Sequence, residues 1–508
     1  MKLKQIVIAT SLAMAAGQAL AIPALPPIGQ QLFVSGSSAG QPSLGLIIES
    51  LCQPNAVGTP IHVFYSGAAA PFGGNHRAYL CTTKATVGTP LGAAGKPVLI
   101  NNRAQGGSAF GINPVADTLP IVRMLVDNTC VPAIAALPGV NVAVVPLTNQ
   151  WTCPNVTAGV GLMDIPDAGV SDVEPAIFKG PHNLPPAFPL VAKNLVNITP
   201  IAVQAVGFNT PVTLLVNTPK PSLTRAQVTS LITGAYGSWT NIATSPPAAA
   251  PALVNKPVVI CRRQAGSGSQ AVINNYFMGF PCVGGAAATP LDHTANPAGN
   301  PLAIPALLPV GGSGTYIIEN ASSSAVINCL DQAGRAAGLG TVTDVYGVTF
   351  NFPAGGASAA IGVLGLEVPP PPGSNWIFEN IDGVFPSTDN MMNGSSMPYG
   401  ETTFQSRVAA ASGGYCSGGL NSGHLAPCAV GETLVPNNSL LKNEYLAAFA
   451  AAAGDPVIIA TANVNGVAAL ATNSAGTAPI LDAFGNVTNR VMKGTVSGNT
   501  CSSQQLYY

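Results

Sequence analysis

The segment of residues 256–280 constrains the fold more than any other part of the chain. Its residues 258–260 are apolar and β-branched, which predicts a buried strand. Two arginines and the sequence Gly-Ser-Gly-Ser come soon after, and apolar residues at 272, 273, 276 and 277 then predict one face of a helix. A strand, a glycine-rich turn and a helix N-terminus together favour an anion site, because free backbone N–H groups and the helix dipole both attract negative charge.

Three side chains of this segment suit a bound anion. Arg263 offers a planar fork of donors that matches a tetrahedral oxyanion, and Ser267 and Ser269 offer hydroxyl donors. Ordinary helix capping explains the same serine-rich turn, so both interpretations stay open. The turn is not a Walker loop, because no Gly-Lys-Ser/Thr follows it, and it lacks the full dinucleotide-binding spacing.

The sequence Arg-Gln-Ala-Gly-Ser-Gly-Ser at this turn resembles the Arg-x-x-Gly-Ser-Gly-Thr/Ser segment of the PstS-like phosphate-binding proteins of ABC transporters. In that family the arginine, the first serine, the following glycine and the last hydroxyl residue hold phosphate. The resemblance therefore implies ligand contacts from Arg263, Ser267, Gly268 and Ser269. The family usually has an aspartate two residues after the arginine, where it braces the guanidinium, and this chain has Ala265 there.

Two earlier turns resemble other parts of the same family. A predicted strand near the mature N-terminus ends in a hydroxyl- and glycine-rich turn, and the resemblance implies that Ser37, Ser38 and Ala39 donate N–H and hydroxyl groups to the ligand. A second predicted strand at residues 98–100 is followed by a Gly/Ser turn in which Ser108 is the implied donor. An ordinary capping role for Ser108 explains the same pattern.

The sequence Gly-Val-Ser-Asp-Val-Glu-Pro, which contains Asp172, resembles the Gly-Ala-Ser-Asp-Ala-Pro motif of the family. The family's aspartate accepts the proton of monoprotonated phosphate. A carboxylate repels an oxyanion unless a proton lies between them, so this residue would reject a fully ionised ligand such as sulfate. A solvated turn residue is the alternative interpretation of Asp172, and of the nearby Asp164 and Asp167.

The resemblance covers roughly residues 30–370 and implies an α/β fold of two doubly wound lobes joined by a hinge, as in type II periplasmic binding proteins. Thr224 is a predicted helix N-cap, Gly234 a helix stop, and Trp239 completes a family-like segment. We expect this division of the chain: signal peptide, 1–21; first part of lobe 1, 22–200; lobe 2, 201–360; return to lobe 1, 361–407; C-terminal extension, 408–508.

The first 21 residues read as a secretory signal. They begin with Lys2 and Lys4, continue with a short apolar stretch and end in Ala-Leu-Ala, a typical cleavage site. No uninterrupted apolar run is long enough for a membrane span. Only 8% of the residues are charged, and nothing in that balance favours nucleic acid. We therefore expect a periplasmic or secreted protein without a cofactor.

Ten cysteines in an exported chain predict disulfides. No C-x-x-C zinc pattern is present. Connectivity cannot be derived from sequence, but pairing of neighbours gives a first expectation: Cys52–Cys81, Cys130–Cys153, Cys261–Cys282 and Cys416–Cys428, with Cys329–Cys501 left over. The resulting fold would be stapled by several covalent links.

Three functions are compatible with these patterns. The leading one is a non-enzymatic solute-binding protein that captures inorganic phosphate, or a similar tetrahedral oxyanion, between two lobes for a membrane component of an ABC transporter. The second is a serine hydrolase that uses Ser38 in a G-x-S-x-G turn with one of five histidines. The third is a structural surface protein, which the low charge, the Gly/Ala/Pro content and the cysteines would suit.

Overall fold

The computed structural model describes most of the chain after residue 21. The described residues are 22–27, 30–39, 41–56, 58–67, 75–84, 95–137, 140, 144–156, 161–184, 192–245, 250–283, 289–293, 306–307, 313–335, 340–353, 357–395, 397–407, 414–416, 434–436, 439–471, 479–484, 486–496, 498–502 and 504–506. The expected signal peptide at 1–21 lies outside them.

The described residues form a mixed α/β structure. Its strands are β1 Gln31–Gly36, β2 His62–Ser66, β3 His76–Thr82, β4 Pro97–Arg103, β5 Ile121–Arg123, β6 Val131–Pro132, β7 Gln150–Cys153, β8 Leu162–Asp164, β9 Ala168–Ser171, β10 Ile198–Asn209, β11 Pro211–Thr213, β12 Ser222–Leu223, β13 Val258–Arg263, β14 Ala306–Leu307, β15 Thr315–Asn320, β16 Gly340–Thr343, β17 Thr349–Phe352, β18 Ala360–Gly362, β19 Leu364–Gly365, β20 Trp376–Phe378, β21 Asn380–Ile381, β22 Tyr399–Arg407, β23 Gly414–Cys416, β24 Leu434–Pro436, β25 Val467–Ala469, β26 Gly494–Thr495 and β27 Gln505–Leu506.

The helices pack against these strands. In chain order they are α1 Gln41–Leu51, α2 Asn113–Ala116, α3 Gly180–Asn183, α4 Leu214–Asn217, α5 Arg225–Ile232, α6 Thr240–Ala243, α7 Gly268–Met278, α8 Ser323–Gly334, α9 Thr388–Met392, α10 Ser439–Gly454 and α11 Pro456–Ala462. The expected strand and helix of the 256–280 segment are confirmed as β13 and α7. The expected N-cap is confirmed too, since Thr224 and Gln227 form a capping box at α5.

The first sheet has eleven strands in the order β19-β10-β22-β9-β1-β4-β3-β2-β7-β6, with β25 also paired to β10. At its centre, β9, β1 and β4 run parallel. The carboxyl ends of these three strands therefore lie at one edge of the sheet. Apolar residues of α1 and α10 cover one face of this sheet in a shared core.

The second sheet has five strands in the order β15-β13-β18-β11-β20. Its β13 lies between two parallel neighbours, β15 and β18. The carboxyl ends of these three strands therefore lie at the same edge of the second sheet. One core cluster includes Val206 and Phe208 of the first sheet with Val258 and Ile260 of the second. The two sheets are thus joined by packing as well as by the chain.

The chain crosses between the two sheets at two short segments. Each segment directly joins a strand of one sheet to a strand of the other. Strand β10 still pairs in the first sheet at Asn209, beyond the expected boundary at residue 200, and β11 begins in the second sheet at Pro211. The return runs through Val363, between β18 and β19. Strand β20 then pairs with β11 in the second sheet, within the segment that we expected to return to lobe 1.

The C-terminal region is built into the first sheet. Strand β25 pairs with β10 over Gln204–Ala469, Ala205–Ala468 and Val206–Val467. Helix α10 contributes Tyr445 and Phe449 to the core beneath that sheet. The tail after residue 490 docks through buried carboxylates, since the Thr500 N–H donates to Glu174 at 2.7 Å and the Val496 N–H donates to Glu401 at 2.7 Å.

Four disulfides link the described residues, and two of them differ from the expected pairs. Cys52–Cys81 and Cys130–Cys153 are confirmed. The expected links Cys261–Cys282 and Cys329–Cys501 are wrong: the structure has Cys261–Cys329 and Cys282–Cys501. Cys428 lies outside the described residues.

The physical reason for the two different pairs is tertiary packing. Cys261 lies in the middle of β13, and both it and Cys329 of α8 are buried in the core of the second sheet. Cys282 follows the end of α7, where the C-terminal tail arrives, because Asn275 Nδ2 donates to the Thr500 carbonyl at 3.0 Å. Proximity in sequence does not detect either contact.

Candidate functional site

Three parallel strands of the first sheet deliver polar side chains to one point. Ser37 follows β1, Ser108 lies in the turn after β4, and Asp172 follows β9. All three residues are buried, and Asp172 is only 4% exposed. Because the strands are adjacent and parallel, their ends meet, and this is the edge where α/β sheets commonly bind ligands. The structure thus brings together three of the residues that the sequence singled out.

The carboxylate of Asp172 is the centre of this cluster. Ser37 Oγ donates to Asp172 Oδ1, and Ser108 Oγ donates to Asp172 Oδ2 at 3.2 Å. The Asp172 N–H donates in turn to Ser108 Oγ at 3.0 Å. The Ala39 N–H donates to Ser37 Oγ at 3.0 Å, which orients that hydroxyl.

The glycine-rich turn of the second sheet reaches the same carboxylate. Ser267 caps α7 by accepting from the Gln270 N–H, and its Oγ lies 2.8 Å from Ser269 Oγ. The backbone of Ser269 also hydrogen-bonds Asp172. The capping interpretation of Ser267 is therefore confirmed, and the same turn still contacts the polar cluster.

Gly268 permits this close approach. A Cβ at this position would lie 2.3 Å from Ser108 Oγ and 2.7 Å from Asp172 Cβ, distances that no side chain could occupy. Nearby, the Ala109 N–H donates to the Gly266 carbonyl at 2.9 Å. The turns of the two sheets are thus in direct hydrogen-bonded contact.

Arg263 is buried beside the cluster but does not hydrogen-bond the serine turn. It is 3% exposed, and its Nη1 and Nη2 donate to Ser323 Oγ and to the Ala321 carbonyl, both at 3.2 Å. Its Nε has no hydrogen-bond partner in the part of the chain that the structure describes. The guanidinium is oriented by the segment that follows β15.

A second buried carboxylate, Glu367, completes the charged group and was not singled out from the sequence as a site residue. Its pKa is raised to about 8, mainly by burial; the charge of Asp172 also raises it, while a backbone hydrogen bond and the charge of Arg263 lower it. The signal that could have found it is its position, five residues after the end of strand β18, which adjoins β13.

Burial also changes the titration of the other two members of this group. It raises the pKa of Asp172, against hydrogen bonds from Ser37, the charge of Arg263 and a hydrogen bond from Ser108. It lowers the pKa of Arg263 to about 10, against the charges of Asp172 and Glu367. Burial therefore makes the ionised form of Asp172 costly, and the serine hydroxyls and the charge of Arg263 offset part of that cost.

Asp164 and Asp167, the other two acidic candidates, have structural partners. Asp164 Oδ2 accepts from Arg123 Nε at 2.8 Å. Asp167 Oδ2 accepts from the Phe33 N–H at 2.9 Å, which ties the start of β9 to β1. Asp164 therefore ties β8 to β5, and Asp167 ties β9, the strand that precedes Asp172, to β1.

Ser38, the residue of the hydrolase alternative, is half-buried, and its neighbour Ser37 is the one engaged with Asp172. The four described histidines make their contacts elsewhere: His62 with Trp151, His76 with Gln105, His182 with Phe280, and His293 with Asp292 and Tyr346. His424 lies outside the described residues.

The described residues contain no cluster of three or more His, Cys, Asp or Glu side chains arranged to hold a metal ion. Among them, no single helix has the length and apolar composition of a membrane span. Tyr445–Gly454 and Pro456–Ala462 reach that composition only when they are counted together across a 65° bend.

No family model matches the sequence, and no curated protein matches it. Solved structures give weak likenesses. A putative phosphate ABC transporter substrate-binding protein with bound phosphate from Clostridium perfringens is 13% identical with a TM-score of 0.34, over 75% of this chain and 89% of that one. PstS from Borrelia burgdorferi is 10% identical with a TM-score of 0.29, over 74% and 87%.

A possible phosphate binding protein from Planctomyces limnophilus is likewise 10% identical with a TM-score of 0.29, over 76% of this chain and 82% of that one. The chain is similar to these proteins, but TM-scores of this size do not assign their function to it.

Proposed function

We propose that this chain is an exported solute-binding protein that captures phosphate, or a similar tetrahedral oxyanion, between its two sheets. One observation carries the proposal: turns from both sheets converge on the single buried carboxylate of Asp172. The converging groups are hydroxyl and backbone N–H donors, and an oxyanion needs such donors on several sides.

In the closed arrangement described above, Asp172 accepts the hydrogen bonds that a ligand oxygen would need. Binding therefore requires the turns to separate and then close around the ligand. The segments through Thr210 and Val363 connect the sheets, so rotation about them would open the cluster as a hinge. The contact between Ala109 and Gly266 would break on opening and form again on closure.

Asp172 supplies the selectivity in this mechanism. Phosphate at neutral pH can place a proton between one of its oxygens and the carboxylate, whereas sulfate has no proton to share and would be repelled. Arg263 and Ser267–Ser269 would contribute charge and hydroxyl donors from the second sheet, and Ser37, Ser38, Ala39 and Ser108 donors from the first. Delivery to the membrane component of an ABC transporter would follow.

Isothermal titration of the purified protein with phosphate, sulfate and a chromogenic ester tests this function. We expect saturable phosphate binding, weaker sulfate binding and no ester turnover. Equal affinity for the two anions would contradict the role of Asp172. Absence of binding to either anion would contradict the function as a whole, and ester hydrolysis that disappears in Ser38→Ala would support the hydrolase alternative.

A further inference from the structure

A small cavity of about 30 Å³ lies behind Ser37, between the first sheet and the helices that cover it. Helix α1 contributes Leu44 and Ile47 to its wall, and α10 contributes Phe449 and Ala453. The cavity is therefore largely apolar on its helix side. The sheet side is different, because three buried polar residues line it.

These three residues are Asn102, Gln204 and Thr402, and each has an oxygen atom without a hydrogen-bond partner among the described residues. The atoms are the side-chain oxygens Oδ1, Oε1 and Oγ1, respectively. All three residues are at most 6% exposed. Buried polar atoms are nearly always hydrogen-bonded to protein or to ordered water, so three unpaired oxygens around one space point to an occupant that donates hydrogen bonds.

A β-bulge creates the polar part of this wall. The pairing of β10 with β22 shifts register between Ala202 and Gln204, so Gln204 lies opposite Thr402 and Val203 is left over. Both Val203 and Gln204 line the cavity, although neighbouring residues of a regular strand point to opposite faces. Bulges are a recurrent means of re-aiming a side chain, and here the bulge turns an amide toward the space.

We propose that this cavity is an internal water-binding site in which ordered water donates hydrogen bonds to Asn102, Gln204 and Thr402. The volume suits about one or two water molecules, and a buried water typically needs two to four polar partners. A metal cation fits poorly, because the described residues that line the cavity include no ionised side chain to balance its charge. A purely apolar occupant would leave the three oxygens unpaired.

The site adjoins the polar cluster described above through a shared residue. Ser37 lines the cavity and also donates to the buried Asp172. Water held there would support the turn that carries Ser37 from behind. The water site does not depend on which solute, if any, binds at Asp172.

Thr402→Val tests the proposal, because valine keeps the shape of threonine and removes the hydroxyl. We expect a lower urea midpoint, since a hydrogen bond to water is lost. Thr403→Val is the matched reference on the same strand: Thr403 Oγ1 hydrogen-bonds the Val173 carbonyl at 3.1 Å and Gln405 at 3.0 Å, so its midpoint must fall. An unchanged or raised midpoint in Thr402→Val alone would mean that the hydroxyl faces a dry space and would overturn the proposal.

A measurement on the unmodified protein covers the case in which a variant does not fold. A high-resolution crystal structure should show water within hydrogen-bond distance of at least two of the three oxygens. The same crystals under xenon pressure should show no xenon peak in the cavity, because dry apolar cavities bind xenon and hydrated ones do not. Xenon density there, or a cavity without water, would contradict the inference.

Discussion

The backbone N–H of Ala109 and the carbonyl of Gly266 form a 2.9 Å hydrogen bond that joins turns from two different sheets. The two residues are far apart in sequence, yet the bond lies directly beside the Ser108, Asp172 and Gly268 contacts. The polar groups of the cluster therefore contact one another directly, and the two turns are in contact beside them. Substitutions within this closed geometry can distinguish groups that bind a ligand from groups that only support the fold.

Replacement of Arg263 by lysine should weaken anion binding. Arginine can reach Ser323 and the Ala321 carbonyl with two nitrogens and still direct charge toward Asp172, whereas a single ammonium cannot reproduce that planar fork. Loss of one charge-assisted contact is worth about 1.5–3 kcal/mol, or roughly ten- to a hundredfold in dissociation constant. Isothermal titration measures it, with exposed Arg335→Lys as control. Unchanged affinity in a folded variant would assign Arg263 a structural role.

Replacement of Asp172 by asparagine should narrow the difference in affinity between phosphate and sulfate. Asparagine keeps the size of the side chain, removes its repulsion for an unprotonated oxygen and can donate a hydrogen bond. Both anions must be titrated against both proteins, because selectivity is a difference between two affinities. If the ratio of dissociation constants stays the same, proton sharing at Asp172 is not the source of selectivity.

Replacement of Gly268 by alanine should destabilise the closed cluster. The added Cβ would lie within 3 Å of Ser108 Oγ and of Asp172, and overpacking of this kind typically costs about 1–3 kcal/mol. Chemical denaturation measures the cost. Gly58→Ala is the control, since a Cβ there meets no atom of the described residues within 4 Å. Equal midpoints for the two variants would show that the turns can separate freely.

Because Glu367 holds a proton in the folded chain, the protein should become less stable as the pH rises and that proton is lost. Its pKa is about 8 in the folded chain and 4.5 as an ordinary value, so between these pH values the folded state holds a proton that the unfolded state has lost. The contribution is full below about pH 4.5 and is lost as the pH rises to about 8, by at most roughly 1.4 kcal/mol per pH unit.

Glu367→Gln should remove the part of the pH dependence of stability that comes from Glu367, because glutamine resembles the protonated acid. Urea midpoints of both proteins at pH 5 and pH 8 measure it, and the variant should lose less stability between the two values than the wild type. Glu379→Gln is a useful comparison, since burial raises the pKa of Glu379 to about 8 as well. Identical losses in wild type and Glu367→Gln would mean that Glu367 titrates near its ordinary pKa.

Removal of the Cys282–Cys501 disulfide should lower stability without disturbing the first sheet. The link spans 219 residues, and loss of a native disulfide typically costs about 2–5 kcal/mol. The double variant Cys282→Ser, Cys501→Ser can be compared with Cys130→Ser, Cys153→Ser, whose link spans 23 residues. A smaller loss for the longer link would show that the tail is held by its carboxylate contacts instead.

Local features of this chain could be predicted from sequence, because each depends on a few neighbouring residues. The strand and helix around the Gly-Ser-Gly-Ser turn and the cap at Thr224 are examples. The sequence also indicated Ser37, Ser38, Ala39, Ser108, Asp172 and the serine turn as one group, and the structure brings Ser37, Ser108, Asp172 and that turn together. Their role in binding stays a prediction.

Other features depended on contacts between distant segments and could not be predicted. The partners of Cys261 and Cys282 are set by packing of α8 and of the C-terminal tail, and adjacency in sequence gave the wrong pairs. Arg263 is directed by Ala321 and Ser323, which lie in a different βα turn. Glu367 acquires its raised pKa from burial, a property that no local pattern carries.

Strand β25 has a consequence for how the chain reaches this structure. It pairs with β10 in the same sheet as β1, so one sheet contains strands from residues 31 and 469. A ribosome must release almost the entire polypeptide before that sheet can close. Long-range strand pairing of this kind slows folding and leaves strand edges exposed meanwhile, so a chain cut after residue 407 should aggregate rather than fold as a smaller binding protein.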